Sequence, residues 1–292
     1  MRIRRPGLTL IELLVSVAVI GLLVGLTLSA VQRVRAAAER TRCANQLRQL
    51  GLGLHQFHQS SGKLPPGTSG PGDAMPYLAW TARMLPYLEQ GRVWLDTTEA
   101  YRVEKNFLKS PHHWLSEPMP AFACPADPRM RDAGLIAGGT RRGLTSYLGV
   151  EGVNSYRKDG VLFLDSGVRL TDIKDGTANT LLVGERPPSS DFVLGWWYAG
   201  WGMDQTGSGD AVVGVRAKNN GEFAPDCPTG PYAFRPGKLT DPCSAYGFWS
   251  LHAGGANFLF CDGAVRFVRY EADAIMPALA TRSGGETVDA LD

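Results

Sequence analysis

Residues 4–31 read RRPGLTLIELLVSVAVIGLLVGLTLSAV, and this stretch decides the architecture. From Leu8 to Val31 the chain runs for 24 residues with a single charge, Glu12. At about 1.5 Å per residue such a helix is roughly 36 Å long, enough to cross a hydrocarbon core of about 30 Å. A lone carboxylate in hydrocarbon costs ~2.5 kcal/mol or more, so Glu12 needs a partner, a proton, or water near the interface. The leader in front is short and basic, with Arg2, Arg4 and Arg5, which favours a cytoplasmic N-terminus. Arg33, Arg35, Arg40 and Arg42 behind the run pull the other way. A secretory signal would have a shorter apolar stretch ending in a small-x-small cleavage site, for which residues 27–30, TLSA, are the candidate. It accounts neither for Gly7 in front of the run nor for Glu12 inside it.

The helical pattern continues past the apolar run. Val31, Val34, Ala38, Thr41, Ala44, Leu47, Leu50, Leu54 and Phe57 recur every three or four residues, and Arg33, Arg40, Gln46, Arg48 and Gln49 mark the opposite face. Ser60-Ser61-Gly62 and Pro65-Pro66-Gly67 end it. The expectation is one long helix with two uses: residues 8–31 cross the membrane, and residues 32–62 continue as an amphipathic half on a head of residues 63–292. Gly51 and Gly53 weaken the helix by up to ~1 kcal/mol each.

A second helix is expected over residues 80–94, kinked or restarted at Pro86. From Tyr147 onward, short apolar runs alternate with Gly, Asp and Asn: 161–164, 180–183, 192–198, 211–215, 258–261 and 265–268. These read as short strands joined by long loops. The fold class is therefore α+β: the long N-terminal helix packs its polar-edged half on a β-rich, mainly antiparallel head.

Composition narrows the function. Thirty basic and 28 acidic side chains give a formal charge of +2, without the basic excess of a nucleic-acid binder. Five cysteines with no CxxC exclude a disulfide scaffold and a zinc knuckle. No GxSxG, HExxH, P-loop or GxGxxG is present, which argues against an enzyme.

The segment RRPGLTLIELLVSVAVIGLL resembles the processing signal of type IV prepilins and type II secretion pseudopilins. The resemblance implies that a prepilin peptidase cuts between Gly7 and Leu8 and that the new N-terminus is methylated, although Leu8 stands where that family most often has Phe. It makes Glu12 the fifth mature residue, an assembly residue that meets the free amine at Leu8 of a neighbouring pilin or pseudopilin subunit. Further on, RTRCANQLRQLGLGLHQFHQSSGKLPPG, WTARMLPYLEQ, FACPADP, DIKDGTANTLLVGE and LHAGGANFLFCDGAVRFV resemble the DUF1559 family, a prepilin-type start joined to a head with no established activity. The last carries that family's H-x9-DG signature as His252 and Asp262-Gly263. The resemblances imply a single-pass protein of the cytoplasmic membrane, in contact with lipid, its head in the periplasm or outside the cell. Its role would be that of a pseudopilin-like assembly subunit. The alternative is a tethered module that binds a glycan, a metal or a protein and uses the prepilin start as an anchor. A head of roughly 230 residues is large for a small pseudopilin and favours that added role.

Within the head, Asp262-Gly263 reads as a hairpin turn, with His252 bonding a nearby loop carbonyl or carboxylate; the functional alternative is a His252–Asp262 metal or catalytic pair. Asp172, Asp175 and Asn179 around Gly176 form either a local turn or a Ca²⁺ site, calcium being the one cofactor in view. Trp196, Trp197, Tyr198 and Trp201 are core or, where exposed, a glycan or protein contact. His112-His113 reads as surface, and His55 and His58 as the polar rim of a docked helix. An exported head permits disulfides. Cys227 and Cys243 lie in a proline- and glycine-rich segment that a cross-link would hold, Cys43 and Cys124 are a second pairing, and Cys261 packs as a buried thiol. All five reduced is the alternative.

Overall fold

A computed structural model describes residues 9–136 and 139–286. Helix α1 (Leu10–Ser61) is continuous over 52 residues. It stops at Gly62, which takes the left-handed conformation (φ 75°) that glycine adopts without a Cβ clash and returns its N–H to the His58 carbonyl. The two halves of α1 differ. Leu10 to Ala38 project from the head, Leu10 with 79% of its surface exposed, whereas Cys43, Leu47, Leu50 and Leu54 are fully buried. The buried stripe has the expected spacing but begins only at Cys43. Val31, Val34, Ala38 and Thr41, placed on the same face by the sequence, are exposed. The head's reach along the helix ends near Arg40, whose guanidinium lies over the Phe267 ring at 4.8 Å. Gly51 and Gly53 have a packing reason: a Cβ on Gly51 would lie 2.8 Å from Leu259 Cδ1, and one on Gly53 would lie 2.5 Å from Met84 Cε.

The second helix is divided. Helix α2 (Trp80–Arg83) gives way to a 3-10 turn, Leu85–Leu88, and then to α3 (Gly91–Val103), which runs past the expected end at residue 94. Pro86 sits at the start of the 3-10 turn, where a missing N–H costs nothing.

Two two-residue strands, β1 (Gly134–Leu135) and β2 (Arg141–Arg142), pair separately. The main sheet contains β3 (Tyr147–Val150), β4 (Leu181–Glu185), β5 (Val212–Val213), β6 (Gly255–Phe260) and β7 (Val265–Arg269), in the order β5-β3-β4-β6-β7. Only the β3–β5 pair is parallel. Strands β4 and β6 are buried along their whole length because the sheet is covered on both faces. Val183 and Leu259 share a core with the buried stripe of α1. Phe258, Phe260, Leu148 and Val150 face the other way, onto helix α4 (Met276–Ala280) and Phe234 and Phe248. This is the α+β arrangement the pattern implies.

The runs at 161–164 and 192–198 are not strands, and 211–215 contributes only the two residues of β5. Their apolar side chains are mostly core, and their backbone pairs with irregular segments through isolated bridges, Trp196 with Leu144 and Leu164 with Thr68. The buried Asp210 carboxylate accepts the Gly195 N–H (3.3 Å) and the Gly202 N–H (2.9 Å), and the buried Arg186 guanidinium donates to the Gly209 carbonyl. These side chains satisfy buried backbone groups in and around the run 192–198. Burial pushes the Asp210 carboxyl up to about 7, against the pull of those two N–H groups and of Arg186.

Cys227 is joined to Cys243 (Cα–Cα 5.4 Å) and Cys43 to Cys124 (Cα–Cα 5.3 Å). Cys261 is a buried thiol, its pKa raised by burial.

Candidate functional site

The processing residues Gly7 and Leu8 lie outside the described residues. Thr9, the first described residue, caps α1. The Glu12 N–H donates to Thr9 Oγ1 (3.3 Å), and the Thr9 N–H donates to Glu12 Oε2 (2.9 Å). This reciprocal pair is written in the sequence as Thr-x-x-Glu before an apolar run. It places the Glu12 carboxylate over the unpaired N–H groups at the helix start, where negative charge is favoured. Local geometry thus supplies the partner that a carboxylate in an apolar run requires, leaving Glu12 exposed at the tip of the helix.

The second cluster forms where α1 meets the sheet. Glu185 ends β4, and the pairing of Gly184 with Phe258 carries it to Asn257 on β6. Asn257 holds both carboxylate oxygens, donating its backbone N–H to Oε2 (2.7 Å) and its amide to Oε1 (3.0 Å). His252 precedes β6 in a tight turn. Its N–H donates to Ser250 Oγ (3.0 Å), that hydroxyl donates to the Gly255 carbonyl (2.7 Å), and Gly254 (φ 84°) reverses the chain. His252 Nε2 is thereby held 3.4 Å from Glu185 Oε1 and 3.9 Å from Cys124 Sγ. Cys43 arrives from α1, and the four groups are buried with their polar atoms within 4.8 Å of one another.

His252 thus faces a carboxylate, that of Glu185, and the alternative His252–Asp262 pair is not formed. Strand β6 separates the two by about 20 Å at ~3.3 Å per residue. Asp262 stands in the β6–β7 turn, accepts the Ala264 N–H (2.9 Å) and pairs with Arg266 (3.4 Å). Gly263 (φ 87°) makes the turn and faces the His55 ring. Glu185 is the partner the sequence reading missed.

Each of the calcium candidates has a protein partner. Asp172 pairs with Arg169 (2.9 Å), and Asp175 accepts the N–H groups of Gly284 (2.7 Å) and Gly285 (2.9 Å). Asn179 donates to the Asp175 carbonyl (3.3 Å), the local bond expected of a turn. His58 Nε2 accepts the Leu170 N–H (3.3 Å) on the rim of the docked helix. His112, expected at the surface, is buried. It bonds the Tyr198 hydroxyl (2.8 Å) and the Glu104 carbonyl (2.8 Å), because the stretch before Trp114 folds back on α3 and the core. Only His113 is exposed. Trp196, Trp197 and Tyr198 are core, while Trp201 is half-buried and lines a surface cleft with Tyr77, Phe107, Glu104 and Glu222.

These observations define a class before they define a family. Residues 2–28 match the prokaryotic N-terminal methylation motif, which marks a pilin-like, prepilin-processed chain. One helix among the described residues is long and apolar enough to cross a membrane, in keeping with membrane anchoring. Residues 32–274 match the family described as a protein of unknown function (DUF1559), and the chain belongs to that family. Neither match is to an enzyme family. No curated protein and no solved structure matches the chain.

Proposed function

We propose that this protein is a pseudopilin-like assembly subunit. It sits in the cytoplasmic membrane through the first half of α1, with its leader on the cytoplasmic side and its head in the periplasm or beyond. One observation carries the reading: one continuous helix is exposed and apolar at one end and forms the spine of the head's core at the other. Such a helix cannot be withdrawn into the head, so its apolar half must be covered by lipid or by equivalent helices of other subunits. The two disulfides favour an oxidising compartment for the head. Once a peptidase frees the amine of Leu8, Glu12 is available to it on a neighbouring subunit, in exchange for its capping bonds to Thr9. The exported, processed form is tested by replacing Gly7 with a bulky residue. The leader should then remain attached, read as the intact mass of the membrane-fraction protein. An unchanged mature N-terminus in that variant would overturn the proposal.

The cleft of about 640 Å³ beside Trp201 favours the second reading, a tethered binding module. The half-buried rings of Tyr77 and Trp201, with the buried Phe107 packed against both, border it together with the carboxylates of Glu104 and Glu222, a combination suited to stacking on and hydrogen-bonding a sugar.

A further inference from the structure

We propose that Cys43, Cys124, His252 and Glu185 form a divalent-metal site of the zinc class that alternates with the Cys43–Cys124 disulfide. The inference is independent of the assembly role. A structural disulfide is satisfied by apolar surroundings, yet this one is faced by a buried imidazole and a buried carboxylate. Burying a carboxylate is costly unless it is fully partnered. Asn257 donates to both Glu185 oxygens, and Oε1, which takes the amide bond at 3.0 Å, also faces His252 Nε2 at 3.4 Å. That separation is long for an N–H···O bond.

The same distances fit a coordination shell. With Zn–N and Zn–O near 2.1 Å and Zn–S near 2.3 Å, a tetrahedron has N···O edges of about 3.4 Å and S···N edges of about 3.6 Å. The structure has 3.4 Å between His252 and Glu185 and 3.9 Å between His252 and Cys124. The two sulfurs must part, from a bond of about 2.0 Å to an edge of about 3.8 Å, and the other sulfur pairs, which lie within 4.8 Å, must settle at edges of about 3.6 Å. Two thiolates, one imidazole and one carboxylate suit Zn²⁺ rather than Ca²⁺ or Mg²⁺. Asn257 already acts as an outer-shell support, fixing the Glu185 carboxylate. Cys124 and His252 also line shallow clefts beside Glu39 of α1, which give a route in.

The chemistry balances with a dithiol reductant. That reductant is oxidised to its disulfide as the Cys43–Cys124 bond takes up two electrons and two protons. Zn²⁺ then binds and displaces both thiol protons to solvent. Reoxidation by a small disulfide returns the two electrons to that oxidant, two protons are consumed in forming its thiols, and Zn²⁺ leaves. In either state α1 stays fastened to the head beside the point where its exposed half emerges.

The test uses the full chain in detergent, reduced and refolded, with Co²⁺ as the probe. One Co²⁺ per chain with thiolate charge-transfer and tetrahedral ligand-field bands is expected. The signal should persist in C227S/C243S, disappear in C43S, and weaken about tenfold or more in His252→Ala. Absent thiolate bands, or bands unchanged in His252→Ala, overturn the proposal. The unsubstituted protein supplies a second readout that needs no variant. Zn²⁺ should slow re-formation of Cys43–Cys124 while leaving Cys227–Cys243 unaffected, and equal rates for both pairs with and without Zn²⁺ overturn it.

Discussion

Neutralising one buried carboxyl should stabilise the head at neutral pH and not in acid. Glu151 is completely enclosed, accepts the Ser208 hydroxyl at 2.7 Å, and has its carboxyl pushed up to about 7. Burial is the main cause; the Ser208 hydroxyl and the Gly214 N–H pull it down, and Asp159 adds a smaller upward push. The folded pKa thus exceeds the unfolded value of 4.5, so folding favours the protonated form. The stability this group contributes is complete below about pH 4.5, falls as pH rises through about 7, and is level above that. A gap of that size between the two pKa values corresponds to about 3 kcal/mol. Glu151→Gln keeps an acceptor for Ser208 and places an N–H₂ where the protonated carboxyl carries its hydrogen. Any cost of that group is the same at every pH. The quantity to measure is therefore the stability difference between variant and parent, from urea unfolding of the full chain in detergent, at about pH 4 and about pH 8. It should move in favour of the variant by about 3 kcal/mol between the two conditions. A difference that is constant with pH would refute the linkage and show that Glu151 titrates alike in the folded and unfolded chain.

Two further outcomes follow from packing and topology. Leu50→Ala, on the fully buried face of α1, should cost about 2–5 kcal/mol in the same unfolding assay, while Leu52→Ala, on the exposed face two residues away, should stay within about 0.5 kcal/mol. Removing both cysteines of the Cys43–Cys124 pair, which spans 81 residues, should lower stability by about 4–5 kcal/mol on the chain-entropy account. The Cys227–Cys243 pair spans 16 and should cost about 3 kcal/mol, so the order of the two variants in urea is the check.

The parts of the fold that were legible are those where one local pattern acts alone. The three-and-four spacing of Leu47, Leu50 and Leu54 describes a helix face whatever it packs against, and the structure buries that face. The limits of the face were less legible, because the exposed apolar stretch and the buried apolar stripe of α1 run together at Val31 and Val34. Only the extent of the sheet decides where burial begins. The run 192–198 failed for a related reason. Trp196, Trp197 and Tyr198 are as apolar as a central strand, and nothing local reveals that the N–H groups of Gly195 and Gly202 go to the carboxylate of Asp210, eight to fifteen residues away in sequence.

The cluster around His252 shows why spacing misdirected the search for its partner. Nine residues separate His252 from Asp262, and the short interval invites pairing. Six of the intervening residues are the extended strand β6, so the interval measures a distance rather than a contact. An antiparallel sheet brings together the entry of one strand and the exit of its neighbour. His252 stands just before the entry of β6, and the exit of its neighbour β4 is Glu185. In sequence, Glu185 closes the run TLLVGE and has the look of a solvated charge ending an apolar strand. Its burial follows from α1, which lays Cys43 across that end of the sheet, and from Cys124, bonded to it. Each of the four residues belongs to a different stretch of the family resemblance, and none is within forty residues of another. The site therefore becomes visible only when strand order is known, and strand order is the part of this fold that local patterns do not encode.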